Sequence, residues 1–182
     1  MITEIDLREV LSRSVGAPLS DLVTRSTGAK VRSSIEAQLS ERPAGAAVVL
    51  DFSSVRVLDC SCADEVVAKL VLGRGVAPGA GQWFVIRGLG EGHAEEIDHV
   101  LRRRRLALVA EERDGRSRLL GEVEPAAAAA WRVVVDLGNA GAEEVATTLR
   151  LAPAEARQAL QAAVAAGVVR QADDRYVPLT AA

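Results

Sequence analysis

Aromatic side chains are scarce in this sequence of 182 residues, where two Trp, two Phe and one Tyr together make up 3 %. Proteins that bind single-stranded nucleic acid usually stack its bases on exposed aromatic rings, so this composition argues against that ligand class. The core must instead be built from Ala, Val, Leu and Ile. The hydrophobic fraction of 49 % is large enough to build such a core.

Cysteine and histidine are equally rare. Cys60 and Cys62 are separated by one residue, so they cannot form a structural zinc site alone, and a disulfide between them would be strained. Two interpretations stay open: small buried apolar residues, or redox-sensitive thiols activated by a helix N-terminus. His93 and His99 suit neither a metal site nor a Ser–His–Asp triad. We therefore expect no cofactor, no metal and no catalytic set.

Neither residues 1–123 nor residues 124–182 carry a net positive charge. Residues 1–123 contain 17 basic and 18 acidic side chains, residues 124–182 contain 5 and 7, and the whole chain has a net charge of −3. A strong nucleic-acid binder normally has a basic face, so DNA binding would need a local stripe of arginines. The sequence also lacks a secretion signal and any apolar run approaching about 20 residues. These absences predict a cytoplasmic protein without a membrane span.

The first two thirds of the sequence alternate between strand and helix patterns. Strands are predicted at Thr3–Leu11, Asp21–Arg25 and, most clearly, Ala46–Phe52. A helix with Thr27 as its N-cap should follow the second strand. Ser53–Leu58 leads into a further helix, whose predicted buried stripe is Ala63, Val66, Val67, Leu70 and Val71.

The same alternation continues after a predicted Gly-rich loop at Gly73–Gly81. Trp83–Ile86 should form a strand and Ala94–Arg105 a helix, and Leu106–Ala110 and Ser117–Val123 should pair as strands. Short links between such elements are typical of an α/β (α+β) domain, which we expect over residues 1–123.

The last third has a different pattern. Helices are predicted at Ala126–Leu137, Gly141–Leu149 and Pro153–Ala166, followed by a small hairpin around Asp173 and Asp174. Three helices with a tight turn before the last one, and then a hairpin, are typical of a winged helix-turn-helix. We therefore expect a second domain over residues 124–182.

Two segments also carry a family resemblance. Leu50–Val55 followed by Asp59–Glu65 resembles the central motif of the STAS superfamily, which includes bacterial anti-sigma factor antagonists. The Ala-Asp-Glu ending of that motif, together with Arg25–Gly28, is similar to the STAS-like domains of unknown function. The resemblance implies a mixed sheet with helices on one side and regulation by protein contact. The implied partner is a kinase-like ATPase or a sigma or anti-sigma factor.

The region from Asp59 to Glu65 is the predicted partner or switch region. In classical antagonists a kinase phosphorylates the Ser that follows the Asp matching Asp59, but Cys60 stands there in this chain. Ser61 is one place out of register. Ser61 and Asp64 have the spacing of a capping box, so helix capping and phosphorylation are alternative roles for Ser61. For Asp59, Asp64 and Glu65, capping and solvent exposure compete with an acid–base or metal-binding role.

Arginines form the densest charge, at Arg102–Arg105. At a helix C-terminus they would complement the dipole, and Asp98 lies one turn before Arg102. A solvated helix end and a patch for an anionic partner both remain open.

In the predicted winged helix, Arg157, Gln158 and Gln161 lie on the presumed recognition helix, where they could reach base edges. Arg170 and Arg175 lie on the hairpin, where they could meet phosphates. Duplex DNA binding and protein contact are both consistent with this module. With so few arginines, useful DNA affinity would require a homodimer.

The sequence thus predicts a non-enzymatic cytoplasmic regulatory protein, in which a STAS-like partner-binding domain is coupled to a winged helix. The alternative is a small-ligand-binding protein or enzyme with a site near Asp59, Ser61 and Arg25. Ligands of open α/β sheets collect outside the carboxyl ends of the strands, where these residues are predicted to lie.

Overall fold

The computed structural model describes residues 2–16, 19–40, 45, 47–73 and 81–180, and these form a mixed α/β protein. One sheet has five strands in the order β1-β3-β5-β6-β7, of which the first four are parallel and β7 is antiparallel to β6. These strands are β1 Ile2–Asp6, β3 Ala47–Asp51, β5 Trp83–Arg87, β6 Ala107–Glu111 and β7 Ser117–Gly121.

Two smaller sheets complete the strands. β2 (Asp21–Leu22) pairs in parallel with β4 (Val57–Leu58), and β8 (Val169–Ala172) pairs in antiparallel fashion with β9 (Arg175–Pro178). The hairpin predicted near the C-terminus is therefore confirmed.

Seven helices occur in the described ranges. They are α1 Leu7–Val15, α2 Arg25–Ser40, α3, α4 Glu91–Arg103, α5 Pro125–Leu137, α6 Ala142–Leu149 and α7 Pro153–Ala166. The helix α3 is continuous but has three parts: Cys60–Ala63, a π-helical stretch Asp64–Ala68, and Lys69–Gly73. All five residues of its predicted stripe are buried. None of these helices is both long and apolar enough to cross a membrane.

The start of the chain differs from its prediction. The expected strand Thr3–Leu11 is β1 followed by α1, because Asp6 caps a helix: its carboxylate accepts hydrogen bonds from the backbone N–H groups of Arg8 (2.8 Å) and Glu9 (3.1 Å). Leu7, Val10 and Leu11 are buried at helical spacing. A capping Asp in the middle of the apolar residues was the signal that the strand prediction overlooked.

The second predicted strand is also shorter than expected. β2 ends at Leu22, and α2 already begins at Arg25, so Thr27 lies inside the helix and is not its N-cap. The remaining elements agree in type with their predictions. The predicted loop at Gly73–Gly81 lies mostly outside the described residues, as does Ala46 of the third predicted strand.

The two faces of the five-stranded sheet pack against different parts of the chain. Phe84 and Ile86 of β5 join a cluster with α1 to α4, whereas Trp83 and Val85 join a cluster with α5 to α7. Because β5 is buried at nearly every position, both of its faces need a cover. The resemblance implied a sheet with helices on one side only. That arrangement describes residues 1–123, but in the whole chain the C-terminal helices cover the other side. Residues from both sides of the predicted boundary between Val123 and Glu124 pack in the second cluster. The division of the chain into two domains stays a prediction.

Candidate functional site

The short pair β2–β4 brings two helix starts side by side. Each strand leads directly into a helix, β2 into α2 and β4 into α3, and the strands run in parallel. The N–H of Asp59, which follows β4, donates to the carbonyl of Leu22 at 3.0 Å. The N-termini of α2 and α3 are therefore neighbours, and the predicted switch region lies at this corner.

Asp59 holds the corner together. Its carboxylate accepts hydrogen bonds from the N–H of Cys62 (2.7 Å), the hydroxyl of Ser61 (2.8 Å) and the N–H of Thr24 (2.9 Å). Burial alone would raise the pKa of Asp59, but the backbone hydrogen bonds from Thr24 and Cys62 outweigh it and the pKa is lowered. Asp59 is thus an ionised N-cap that reaches across to α2.

The capping role predicted for Ser61 is wrong. The N-cap of α3 is Asp59, with extended backbone angles of φ −93° and ψ 161°, and Ser61 lies within the first turn. Its hydroxyl donates to the Asp59 carboxylate and so supports the cap indirectly. Asp64 does not reach back toward the helix start as a capping box would require, because its carboxylate is engaged with Arg104 and Arg25.

Thr24 was not singled out from the sequence, yet it is central to the corner. Its φ of 74° lies in the left-handed region, which is costly for a β-branched residue. The N–H of Thr24 donates a hydrogen bond to the Asp59 carboxylate. The carbonyl of Thr24 accepts a hydrogen bond from the thiol of Cys62 at 2.9 Å. These two tertiary contacts maintain the strained conformation, and no local sequence pattern signals it.

Glu65 is the most buried charged residue of the corner. It is 2 % exposed, and its carboxylate pairs with Lys69 (2.5 Å), Arg25 (3.0 Å) and Arg32 (3.2 Å). Burial would raise its pKa, but the hydrogen bonds from Lys69 and Arg32 outweigh it and the pKa is lowered. Solvent exposure, predicted for this residue, is therefore wrong. The three cations that compensate its burial come from two different helices.

Asp64 forms the second ion-pair centre. Arg104 binds it with two parallel hydrogen bonds, Nε to Oδ1 at 2.6 Å and Nη2 to Oδ2 at 2.9 Å, and Arg25 adds a third at 3.2 Å. The hydrogen bond from Arg104 is the largest cause of the lowered pKa of Asp64. Within the basic run, Arg102 pairs with Asp98 at 2.6 Å as predicted, but Arg104 turns toward the site.

Both carboxylates lie at the start of the π-helical stretch of α3. A π-turn is rare and occurs frequently at functional sites. It changes the direction in which successive side chains project. Here it occurs where Asp64 faces α4 and Glu65 faces α2. The sequence contains no recognised signal for this stretch.

The surroundings of Cys60 and Cys62 raise the pKa values of both thiols. Cys62 is buried, and burial raises its pKa to about 12. Burial and the charges of Glu96 and Asp64 also raise the pKa of the half-buried Cys60. The burial of Cys62 fits a small apolar residue, and neither environment favours the thiolate that a redox sensor needs.

An open pocket of about 470 Å³ lies beside these residues. Arg103 has no ion-pair partner among the residues that the structure describes, so its charge is available to a ligand. Asp64 is ionised and is paired with Arg25 and Arg104. The pocket can therefore bind an acidic group but contains no carboxyl group with a raised pKa that could act as a general acid. Its lining is Arg25, Cys60, Ser61, Asp64, Val100, Arg103 and Arg104.

The predicted DNA-binding residues lie elsewhere, and four of the five are exposed. Arg157, Gln158 and Gln161 share the solvent-facing side of α7, and Arg170 is exposed on β8. Arg175 is engaged within the protein, since its guanidinium pairs with Glu144 at 2.6 Å and binds Asn139 at 3.1 Å.

Across the described part of the chain, no group of three or more His, Cys, Asp or Glu side chains has the arrangement of a metal site. In comparisons with known proteins, no family model, no curated protein and no solved structure matches this chain. The function must therefore be argued from the geometry alone.

Proposed function

We propose that this chain is a non-enzymatic regulatory protein, with a STAS-like partner-binding domain over residues 1–123 and a winged helix over residues 124–182. The observation that carries the proposal is the second hydrophobic cluster. Trp83 and Val85 of the sheet pack in one core with Trp131 and Val134 of α5. A change in the sheet that follows partner binding would be transmitted through this core, because packed interiors are rigid and transmit strain.

The corner formed by α2 and α3 is the proposed partner surface. Val23 and Val57 are exposed apolar side chains, 39 % and 42 %, next to the residues that hold the two helix starts. The neighbouring pocket is lined by Arg103, which forms no ion pair within the described ranges, and by Arg25, which pairs with Asp64 and Glu65. An apolar contact with a cationic rim fits a protein partner whose contacting surface carries an apolar centre and acidic side chains.

The geometry of the C-terminal part supports a winged helix. Ala140, between α5 and α6, exchanges two backbone hydrogen bonds with Tyr176 of β9, at 2.8 and 2.9 Å, which joins this segment to the hairpin by a single-residue antiparallel bridge. The turn before α7 contains Arg150 with φ 55°, and Glu155 accepts a hydrogen bond from the N–H of Ala152 at 2.9 Å. These contacts fix α7 against α6 with its polar side outward.

Duplex DNA is the ligand to test for the winged helix. We expect weak binding in fluorescence anisotropy at low salt. Two or three phosphate contacts imply a slope of roughly −2 to −3 in log K against log salt. Arg157→Glu/Arg170→Glu should abolish this binding. The control Arg8→Glu/Arg13→Glu makes the same change of net charge at two exposed positions of α1 and should retain most of the binding. Absence of binding by the wild type at low salt would leave protein contact as the output of this module.

The partner surface is tested separately. Purified proteins of the expected class from the same organism, a kinase-like ATPase and a sigma or anti-sigma factor, are titrated by calorimetry. Val57→Asp should abolish binding to a true partner because it places a charge in the apolar centre, whereas Leu137→Asp, at an exposed apolar residue on α5, should not. Equal affinities of the two variants would reject this surface.

The pocket of about 470 Å³ favours a second candidate function, the binding of a small acidic ligand near Asp59 and Ser61. We propose binding rather than catalysis, because Asp59 and Asp64 are both held ionised by hydrogen bonds. Binding of a ligand here should be weakened by Arg103→Gln and be unaffected by Val57→Asp.

A further inference from the structure

A second cleft, of about 820 Å³, shares no lining residue with the pocket beside Asp64. Its walls come from three places: the end of the β6–β7 hairpin, the second half of α5, and the β8–β9 hairpin. Val135, Val177 and Pro178 give it apolar, half-buried walls. This size is in the range of small-molecule sites.

The charge of this cleft is predominantly positive, with four arginines and two carboxylates. Arg116 and Arg118 are partly neutralised, since they pair with Asp114 at 2.6 Å and Glu112 at 3.2 Å. Arg132 and Arg170 form no ion pair within the described ranges. Arg132 lies over the ring of Trp131, 4.9 Å from its centre, which orients a guanidinium without neutralising it.

We propose that this cleft binds a small phosphorylated molecule, with Arg132 and Arg170 contacting its phosphate groups. The planar guanidinium presents paired donors that match phosphate oxygens, and a concave site excludes water on several sides. A DNA backbone fits the same place less well, because the turn of the β8–β9 hairpin carries the exposed acidic residues Asp173 and Asp174.

The position of the cleft indicates what its occupation would do. The β6–β7 hairpin belongs to the five-stranded sheet, while α5 and the β8–β9 hairpin belong to the C-terminal part. A ligand bound between them would add contacts across the two parts and so stabilise their present packing. The site requires neither a protein partner nor DNA, but it shares Arg170 with the surface proposed for duplex DNA, so Arg132→Gln is the variant that separates the two.

The test is calorimetric titration of the full chain with inorganic pyrophosphate at low ionic strength. We expect one site per chain, with Arg132→Gln weakening binding by about tenfold and Arg132→Gln/Arg170→Gln weakening it further. The matched control is Arg8→Gln/Arg13→Gln, which removes two exposed charges of α1 outside the cleft. Arg103→Gln is titrated separately, because Arg103 lines the pocket beside Asp64. Circular dichroism verifies folding, and Arg132→Lys/Arg170→Lys provides a second pair that keeps the charge but loses the paired donors.

Three results would overturn the proposal. The first is no binding of pyrophosphate to the wild type. The second is loss of binding in Arg103→Gln rather than in the cleft variants, which would move the site to the other pocket. The third is an equal loss of pyrophosphate and duplex DNA binding in Arg132→Gln, which would make the cleft part of a nucleic-acid surface. Retained duplex binding with weakened pyrophosphate binding in Arg132→Gln supports the proposal.

Discussion

Gly28 of α2 and Cys62 of α3 approach so closely that any larger residue at position 28 would be in tight contact with α3. A Cβ atom on Gly28 would lie 3.0 Å from the Cα of Cys62 and 3.0 Å from the Cβ of Glu65. This close approach allows Arg25 and Arg32 of α2 to reach the buried Glu65 carboxylate. The contact of the two helices and the ion-pair cluster therefore depend on each other.

Gly28→Ala should lower the free energy of unfolding by about 1–3 kcal/mol, because the added methyl group forces the two helices apart. Gly92→Ala is the matched control. Gly92 also lies in a helix, α4, but nothing lies within 4 Å of a Cβ there, so the change should raise stability by up to about 1 kcal/mol. Urea denaturation measures both, and changes of the same sign would contradict the close approach.

Glu65→Gln should destabilise the fold by about 2–3 kcal/mol, because Lys69, Arg25 and Arg32 lose the anion that compensates them. Glu36→Gln removes a carboxylate from the same network but at an exposed place, where its pair with Arg32 is worth less than about 1 kcal/mol. Thermal denaturation at equal pH compares the two variants. An equal loss of stability in both would mean that Glu65 is not the centre of the network.

Ser61→Asp should destabilise the protein, because the new carboxylate would lie next to that of Asp59, whose distance to the Ser61 hydroxyl is 2.8 Å. Asp59→Ala should cost about 1–2 kcal/mol through loss of the N-cap, and Ser61→Ala should cost less. Guanidinium denaturation ranks the three variants. A fully stable Ser61→Asp variant would show that the corner accommodates a second negative charge, as a phosphorylation switch requires.

Stability should fall steeply in acid. The pKa values of Asp59, Asp64 and Glu65 are all lowered from ordinary values of 3.8 for Asp and 4.5 for Glu. The folded state thus binds these protons less readily than the unfolded state, so the stabilisation is complete above about pH 5 and is lost as the pH falls through 4.5 and below 3.8. Asp64→Asn/Glu65→Gln should be less stable at pH 7 and show a flatter decline in acid.

Residues 1–123 expressed alone should be less stable than the full chain and should self-associate. Removal of the C-terminal part exposes Trp83, Val85, Ala107 and Val109, which pack in the cluster with α5 to α7. Size-exclusion chromatography and thermal denaturation of both proteins test this. A monomeric fragment with an unchanged melting temperature would show that the sheet does not depend on its second cover.

The element types were largely predictable, and the exceptions have local causes. The apolar runs of β3 and β5 and the helical spacing in α3 are strong periodic signals, so these elements agree with their predictions. The strand predicted over Thr3–Leu11 was wrong because a side-chain cap at Asp6 ends the extended backbone. The apolar residues of such a short segment fit both the two-residue period of a strand and the 3.6-residue period of a helix. The cap at Asp6 therefore decides where the helix begins.

The candidate site was predictable as a region but not as a mechanism. The motif from Asp59 to Glu65 indicates where the corner lies, and the pair Glu65–Lys69 follows from helical spacing. The roles of Thr24, Arg32 and Arg104 were missed. Each acts on a residue at least 33 positions away in the chain, and contacts of that range leave no periodic pattern.

The sequence by itself determined local properties of this protein: the element type of most segments, the apolar strands that demand burial on both faces, and the scarcity of Cys and His. Only the tertiary structure decided that the C-terminal helices cover the back of the sheet, that Asp59 also binds Thr24 at the start of the neighbouring helix, and that arginines line a second cleft. The physical reason is range. Periodicity and capping act over a few residues, whereas burial, pKa and charge compensation depend on atoms that folding alone brings together.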